Sequence, residues 1–204
     1  MGLYDRYVLP PLLHLVMKNR DMTRERRRLV PEARGRVLEV GIGSGLNLPF
    51  YGPGVERLWG VDPSQELQRY AREQARGLPF EVELLAHPAE AIPLESQSVD
   101  TVVMTWTLCS IPDEIRALEE IRRVLKPEGR LLFVEHGRAP EPQVERWQEK
   151  LTPVWQRLSG GCHLNLKVDG LLKAGGFRIE QLETFYLRGP RPMTYTYRGS
   201  ARPD

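Results

Sequence analysis

The chain has 204 residues, of which 41% are hydrophobic and 27% charged, and a formal net charge of +2. That length suits one domain with one sizeable core, and so small a basic surplus argues against a nucleic-acid binder. Its two cysteines, Cys109 and Cys162, stand far apart; their spacing offers neither a metal knuckle nor a disulfide framework, so no metal site and a cytoplasmic setting are expected.

Residues 1–30 read as a helical lid. No secretory leader is recognisable, and the apolar patch Val8 to Met17 is too short to span a bilayer. Packing on the protein's own core is the first reading of this patch, and peripheral contact with a membrane is the alternative. The basic run "RERRRL", Arg24 to Leu29, reads as a solvated helix face, with an anionic surface as its sharper alternative.

Strands and helices then alternate. Strands are expected at 36–41 ("RVLEVG"), 57–62 ("RLWGVD"), 80–86 ("FEVELLA"), 99–106 ("VDTVVMTW") and 130–136 ("RLLFVEH"). Helical spacing appears at 65–76 and 113–125, the second with Asp113 placed to cap it, and "KPEG" (126–129) turns the chain. Near-continuous Val/Leu/Ile strands separated by helices imply a parallel sheet covered on both faces. After Pro142 a helical stretch, 144–158, is interrupted by Pro153; a short helix ends at Gly175-Gly176; and two late strands, 178–187 and 193–199, close as an antiparallel edge hairpin. The expected architecture is one α/β domain with a Rossmann-like doubly wound sheet of about seven strands. Its parts are a cofactor core at 36–137, a helical acceptor-side segment at 141–176 and C-terminal strands at 177–204.

The glycine-rich stretch "LEVGIGSGLNLPFYG" (38–52) follows the first strand, where a doubly wound sheet brings a ligand against bare backbone. The spacing Gly41-x-Gly43-x-Gly45 is neither the dinucleotide G-x-G-x-x-G nor a phosphate loop. Glu39, just before it, would repel a pyrophosphate but suits a cationic ligand. Asp62 ends the second strand, the usual place for a carboxylate that takes ribose hydroxyls. A ligand with a ribose, a positive end and no phosphate fits, and S-adenosylmethionine has these properties.

The successive stretches "VLEVGIGSGLN", "GVDPS", "SVDTVVMTWTLCSI" and "EEIRRVLKPEGRLLFVEHG" resemble the motifs of class I S-adenosylmethionine-dependent methyltransferases. "WQEKLTPVWQRLSGGCHLNLKVDGLLKAGGF" is more loosely similar to the group that includes thiol methyltransferases and, through shared motifs, ubiquinone-biosynthesis-type enzymes. The resemblance implies S-adenosyl-L-methionine as cofactor, held by Glu39, Gly41, Gly43, Gly45, Asp62 and Pro63. It also places Thr105 and Leu108 around the methionine end, whereas the loop after the third strand departs from the family, and there backbone groups around Ala89, with Glu90, are expected to meet the adenine. The loop "AHPAEAIP" (86–93) lacks the aspartate many relatives carry there, and His87 reads as a surface residue. Acceptor-side candidates are Tyr4, Tyr7, Leu12, His14, Trp106, Glu135, Trp147, Trp155, Cys162, His163 and Asn165, with His136 as the candidate base. Cys109 reads as a buried spectator thiol.

These features point to in-line methyl transfer to a small apolar acceptor, first of all a thiol, since a thiol with pKa near ~8.5 ionises without a strong base. Phospholipid amine N-methylation, quinone C-methylation and a non-catalytic interaction module are the alternatives.

Overall fold

The computed structural model describes residues 7–204; Tyr4 lies outside them. In chain order come α1 (Leu9–Met17), α2 (Arg20–Leu29), β1 (Gly35–Val40), β2 (Val55–Val61), α3 (Gln65–Gln74), β3 (Glu81–Leu85), β4 (Val99–Thr105), α4 (Glu114–Val124) and β5 (Leu125–His136). Then follow α5 (Pro142–Leu158), α6 (Val168–Ala174), β6 (Phe177–Tyr186), α7 (Arg191–Thr194) and β7 (Tyr195–Pro203). One seven-stranded sheet has the order β3-β2-β1-β4-β5-β7-β6. The first five strands are parallel, and β7 and β6 run antiparallel, with β7 inserted beside β5. The strand order reverses between β1 and β4, which opens a crevice at their carboxyl ends.

Apolar strands explain the two cores. Leu38, Val102, Met104, Leu131 and Phe133 bury one face with α4 and α6, while Val37, Leu58, Val103, Leu132 and Val134 bury the other beneath Leu29, Val30 and Ala71. Local chemistry starts the helices. Asn19, Ser64 and Asp113 accept the backbone N–H of Met22, Leu67 and Arg116 at 3.0, 3.2 and 2.9 Å, each satisfying one orphan donor.

Two expectations change. β5 begins at Leu125, because "KPEG" bulges out of the strand opposite Asp100 instead of preceding it. α5 runs unbroken through Pro153. Pro10 and Pro11 stand at the start of α1, where the missing N–H costs nothing, and so open that helix. No α-helix follows the glycine turn; a single 3-10 turn, Leu48–Phe50, leads back to β2.

The N-terminal patch packs on the protein only in part. Leu9 and Pro10 are the buried residues of α1, while Leu12, Leu15 and Val16 are 45%, 71% and 53% exposed. The helix is held by His14, whose ring stacks on Tyr70 of α3 at 5.0 Å. The arginine run is likewise not one solvated face: Arg24 and Arg28 are exposed, but Glu25 and Arg26 are buried.

Candidate active site

The loops after β1, β2, β4 and β5 meet over the crevice. Each glycine of the first loop has a positive φ, +71° at Gly41, +50° at Gly43 and +76° at Gly45, a region that favours a residue without Cβ. Their surroundings differ. A Cβ on Gly41 would stand 2.2 Å from Thr107 Oγ1, and one on Gly45 would stand 2.9 Å from the Ala71 Cα. On Gly43 it would meet nothing nearer than 3.9 Å. Gly41 and Gly45 thus let chain segments approach, and Gly43 borders open space.

Beside that space, Asp62 accepts the Gly43 N–H at Oδ2 (2.9 Å) and the Ser64 N–H at Oδ1 (2.8 Å). Burial raises its carboxyl, and these two donors work against that rise. The next residue, Pro63, is exposed.

Glu39, at the end of β1, is buried with both oxygens engaged. Asn47 Nδ2 donates to Oε1 at 2.9 Å and the Tyr51 hydroxyl to Oε2 at 2.8 Å. Asn47 is the hub. It also donates to Thr105 Oγ1 at 3.0 Å and accepts from Arg26 Nε at 3.0 Å. Burial pushes the Glu39 carboxyl up to about 8, although Tyr51, Asn47 and the Arg26 charge pull the other way. Burial also lowers Arg26 to about 10. Arg26 lies 4.9 Å over the Trp106 ring and donates to the Met17 carbonyl at 2.7 Å, so the two N-terminal helices are fastened to the loops after β1 and β4. Arg26, Asn47 and Tyr51 were not singled out in the sequence. Asn47 and Tyr51 sit in the glycine stretch itself, whereas Arg26 was hidden in a run that read as solvated.

The loop after β4 is locally strained: Trp106 has φ +52°, costly for an aromatic residue and typical of functional sites. The turn is held by the Trp106 N–H on the Val134 carbonyl (2.7 Å), the Thr107 N–H on Glu135 Oε1 (3.0 Å) and the Thr107 hydroxyl on the Thr105 carbonyl (3.1 Å). Glu135 is wholly buried, its Oε2 has no hydrogen-bond partner, and burial pushes its carboxyl up to about 8.

The remaining candidates differ in exposure. Leu108 is fully buried in the core and Ala89 nearly so. Glu90 accepts the Asp113 N–H at 3.4 Å, tying its loop to the start of α4. Exposure places His87, Trp147 and Tyr7 at the surface.

The two cysteines, read as distant, meet. Cys109, on the turn after β4, and Cys162, on the loop after α5, bring their sulfurs to 3.2 Å. His136 closes the group, its Nε2 3.6 Å and Nδ1 3.9 Å from Cys162 Sγ. His163 staples the two loops, its N–H 2.7 Å and its Nδ1 3.1 Å from the Cys109 carbonyl. Cys162 is held well below the ordinary thiol range by the Cys109 hydrogen bond and the His136 charge, with Trp155 adding to both. That same bond, with burial, pushes Cys109 up. Burial would lower His136, but Cys162 and Glu135 outweigh it and raise the imidazole. A thiol thus lies against the ring of His136, the candidate base.

An arrangement with a carboxylate at the end of β2, open backbone at Gly43 and a buried acid under the loop fits a ribose-bearing cation. The sequence profile of a methyltransferase-domain family matches residues 38–133. Thiol S-methyltransferase TMT1A of Homo sapiens is 32% identical over 200 residues, covering 89% of this chain and 81% of that protein. Human TMT1B is 31% identical over 189 residues, covering 87% and 75%. Rattus norvegicus TMT1B is 35% identical over 151 residues, and there the chain spans only 62% of the relative's length. Among solved structures, a possible histamine N-methyltransferase of Thermotoga maritima superposes with TM-score 0.71 over 98% of both chains at 23% identity. A Methanosarcina mazei S-adenosylmethionine-dependent methyltransferase gives 0.66 over 82% of this chain and 92% of that one at 24% identity. At such identities the structural likeness speaks for the fold alone.

Proposed function

We propose that this chain, which belongs to the S-adenosylmethionine-dependent methyltransferase family and uses that cofactor as methyl donor, transfers the methyl group to a small apolar thiol. Asp62 takes the ribose hydroxyls, Gly43 lets the cofactor lie against the backbone, and Glu39, whose carboxyl burial raises to about 8, ionises against the cofactor's cationic end. The cofactor supplies an electrophilic methyl group, and the acceptor thiolate gains it as the sulfonium–methyl bond breaks, leaving a thioether and S-adenosylhomocysteine.

The observation that carries the thiol reading is the reach of the similarity to human TMT1A. It extends over 89% of the chain, well past the cofactor half and through α5 and the Cys162 loop. These elements border the carboxyl ends of β4 and β5, the acceptor side. The surroundings also suit a thiol. Direct transfer needs alignment and exclusion of water, and a thiol ionises near neutral pH without a dedicated base.

A lipid amine is the second reading. It is supported by the exposed apolar side chains of α1 and by 36% identity over 104 residues to a phosphatidylethanolamine N-methyltransferase of Cereibacter sphaeroides. Among the described residues no helix is long and apolar enough to cross a membrane.

A methyl-transfer screen over alkyl thiols, phosphatidylethanolamine and quinols, read by S-adenosylhomocysteine release, separates these readings. Alkyl thiols are expected to turn over. Turnover of phosphatidylethanolamine with every thiol silent would overturn the thiol reading.

A further inference from the structure

We infer that Cys109, His136 and Cys162 form a binding site for a soft divalent cation of the zinc type, at the acceptor edge of the crevice. Their ligand atoms all lie within 4.8 Å of one another. In a tetrahedral zinc site with Zn–S near 2.3 Å and Zn–N near 2.0–2.1 Å, sulfurs stand about 3.8 Å apart and sulfur and nitrogen about 3.6 Å apart. His136 Nε2 and Cys162 Sγ are 3.6 Å apart. The two sulfurs, at 3.2 Å, need to open by about half an ångström to admit the ion, the size implied by those bond lengths. Two sulfurs and an imidazole are the donor set that zinc prefers over the hard cations, which seek oxygen.

The surroundings are built to hold the group. Cys109 stands on the turn after β4, whose entry at Trp106 has φ +52°, and Gly160 and Gly161, with φ +71° and +95°, turn the chain to present Cys162. The His163 N–H on the Cys109 carbonyl at 2.7 Å locks the two loops together. The turn that carries Cys109 is entered through the strained backbone of Trp106, and strain of this kind clusters at functional sites.

Three protein ligands leave the fourth tetrahedral position open, as in catalytic zinc sites. Resting on the thiol reading above, an acceptor thiol takes that position as its thiolate and its proton passes to water. Methylation then turns the sulfur into a neutral thioether, a much poorer ligand, which leaves.

The test begins with the full chain, reduced and freed of metal, titrated with Co²⁺ and with Zn²⁺. One ion per chain is expected, with thiolate-to-cobalt charge-transfer bands. Cys162→Ser and His136→Ala should each weaken binding at least about tenfold, while S-adenosylmethionine binding by these variants confirms that they fold. An alkyl thiol should shift the cobalt bands. Absence of stoichiometric binding, or binding unchanged in Cys162→Ser, would overturn the site, as would isolation of the reduced-purified chain with Cys109 and Cys162 already disulfide-bonded. Full thiol methylation by the metal-free chain would overturn the acceptor role and leave the thiol reading standing. Metal binding with no thiol methylated would overturn the thiol reading and with it the acceptor role, and leave the metal site standing.

Discussion

The backbone N–H of Gly43 donates to Oδ2 of Asp62 at 2.9 Å, joining the loop after β1 to the end of β2 on the open side of the crevice. The carboxylate is thus aimed before any ligand arrives, and its remaining lone pairs are the natural acceptors for vicinal hydroxyls. Asp62→Asn keeps the volume and removes the charge. Hydrogen bonds to a charged group contribute about 1.5–3 kcal/mol, so cofactor affinity by calorimetry should fall about ten- to a hundredfold. Unchanged affinity would refute the ribose role.

The three loop glycines should separate by phenotype. Gly43→Ala meets only open space within 3.9 Å; its stability cost is the left-handed backbone alone, about 1–2 kcal/mol, and its main defect should be weak cofactor binding. Gly41→Ala drives a methyl into Thr107 and Gly45→Ala drives one into the Ala71 backbone; overpacking adds about 1–3 kcal/mol to each. Urea unfolding together with cofactor titration resolves the two classes.

Glu39 makes stability depend on pH. Its carboxyl is raised from 4.5 to about 8 in the folded chain, chiefly by burial. The folded state therefore keeps a proton that the unfolded state has lost. The stability this represents is full below pH 4.5 and is lost as pH rises toward 8. Relative to wild type, Glu39→Gln should gain stability from pH 5 to pH 8 by on the order of a few kcal/mol. Arg26, Tyr51 and Asp62 face the same group, so each is kept in the comparison. A cationic cofactor favours the ionised carboxylate; wild type should release more protons on binding than Glu39→Gln, measured in buffers of different ionisation heat.

Arg26 ties the N-terminal helices to the site through Asn47 Oδ1 and the Met17 carbonyl. Arg26→Met retains much of the stem's apolar packing and removes both bonds. A loss of about 2–4 kcal/mol is expected, with limited proteolysis cutting near residues 17–20 sooner than in wild type.

The exposed apolar side chains of α1 make a further expectation testable. Leu12→Glu with Leu15→Glu touches side chains 45% and 71% exposed, so folding should be unaffected. If the helix rests on a lipid surface, co-sedimentation with anionic vesicles should drop severalfold. Equal sedimentation of both proteins would exclude this helix as the contact.

Much was legible in the sequence alone. Strand and helix order followed from the switch between near-continuous Val/Leu/Ile runs and amphipathic spacing. The cofactor class followed from Glu39, the glycines and Asp62, because these residues act through short-range backbone geometry and charge at the ends of adjacent strands. The edges of elements were less legible: β5 starts at Leu125 because Lys126 to Gly129 bulge within the strand, a choice made by pairing with β4. What tertiary structure alone decided lies between segments that no local rule connects. Arg26 reads as one more solvated arginine until Asn47, 21 positions on, is seen to take its N–H. Cys109 and Cys162 read as unrelated thiols until the helix after β5 folds back and sets their sulfurs 3.2 Å apart. Periodicity and propensity report on neighbours a few residues away, whereas the contacts that gather Cys109, His136 and Cys162 come from the packing of β4, β5 and the loop after α5, which only the packed chain defines.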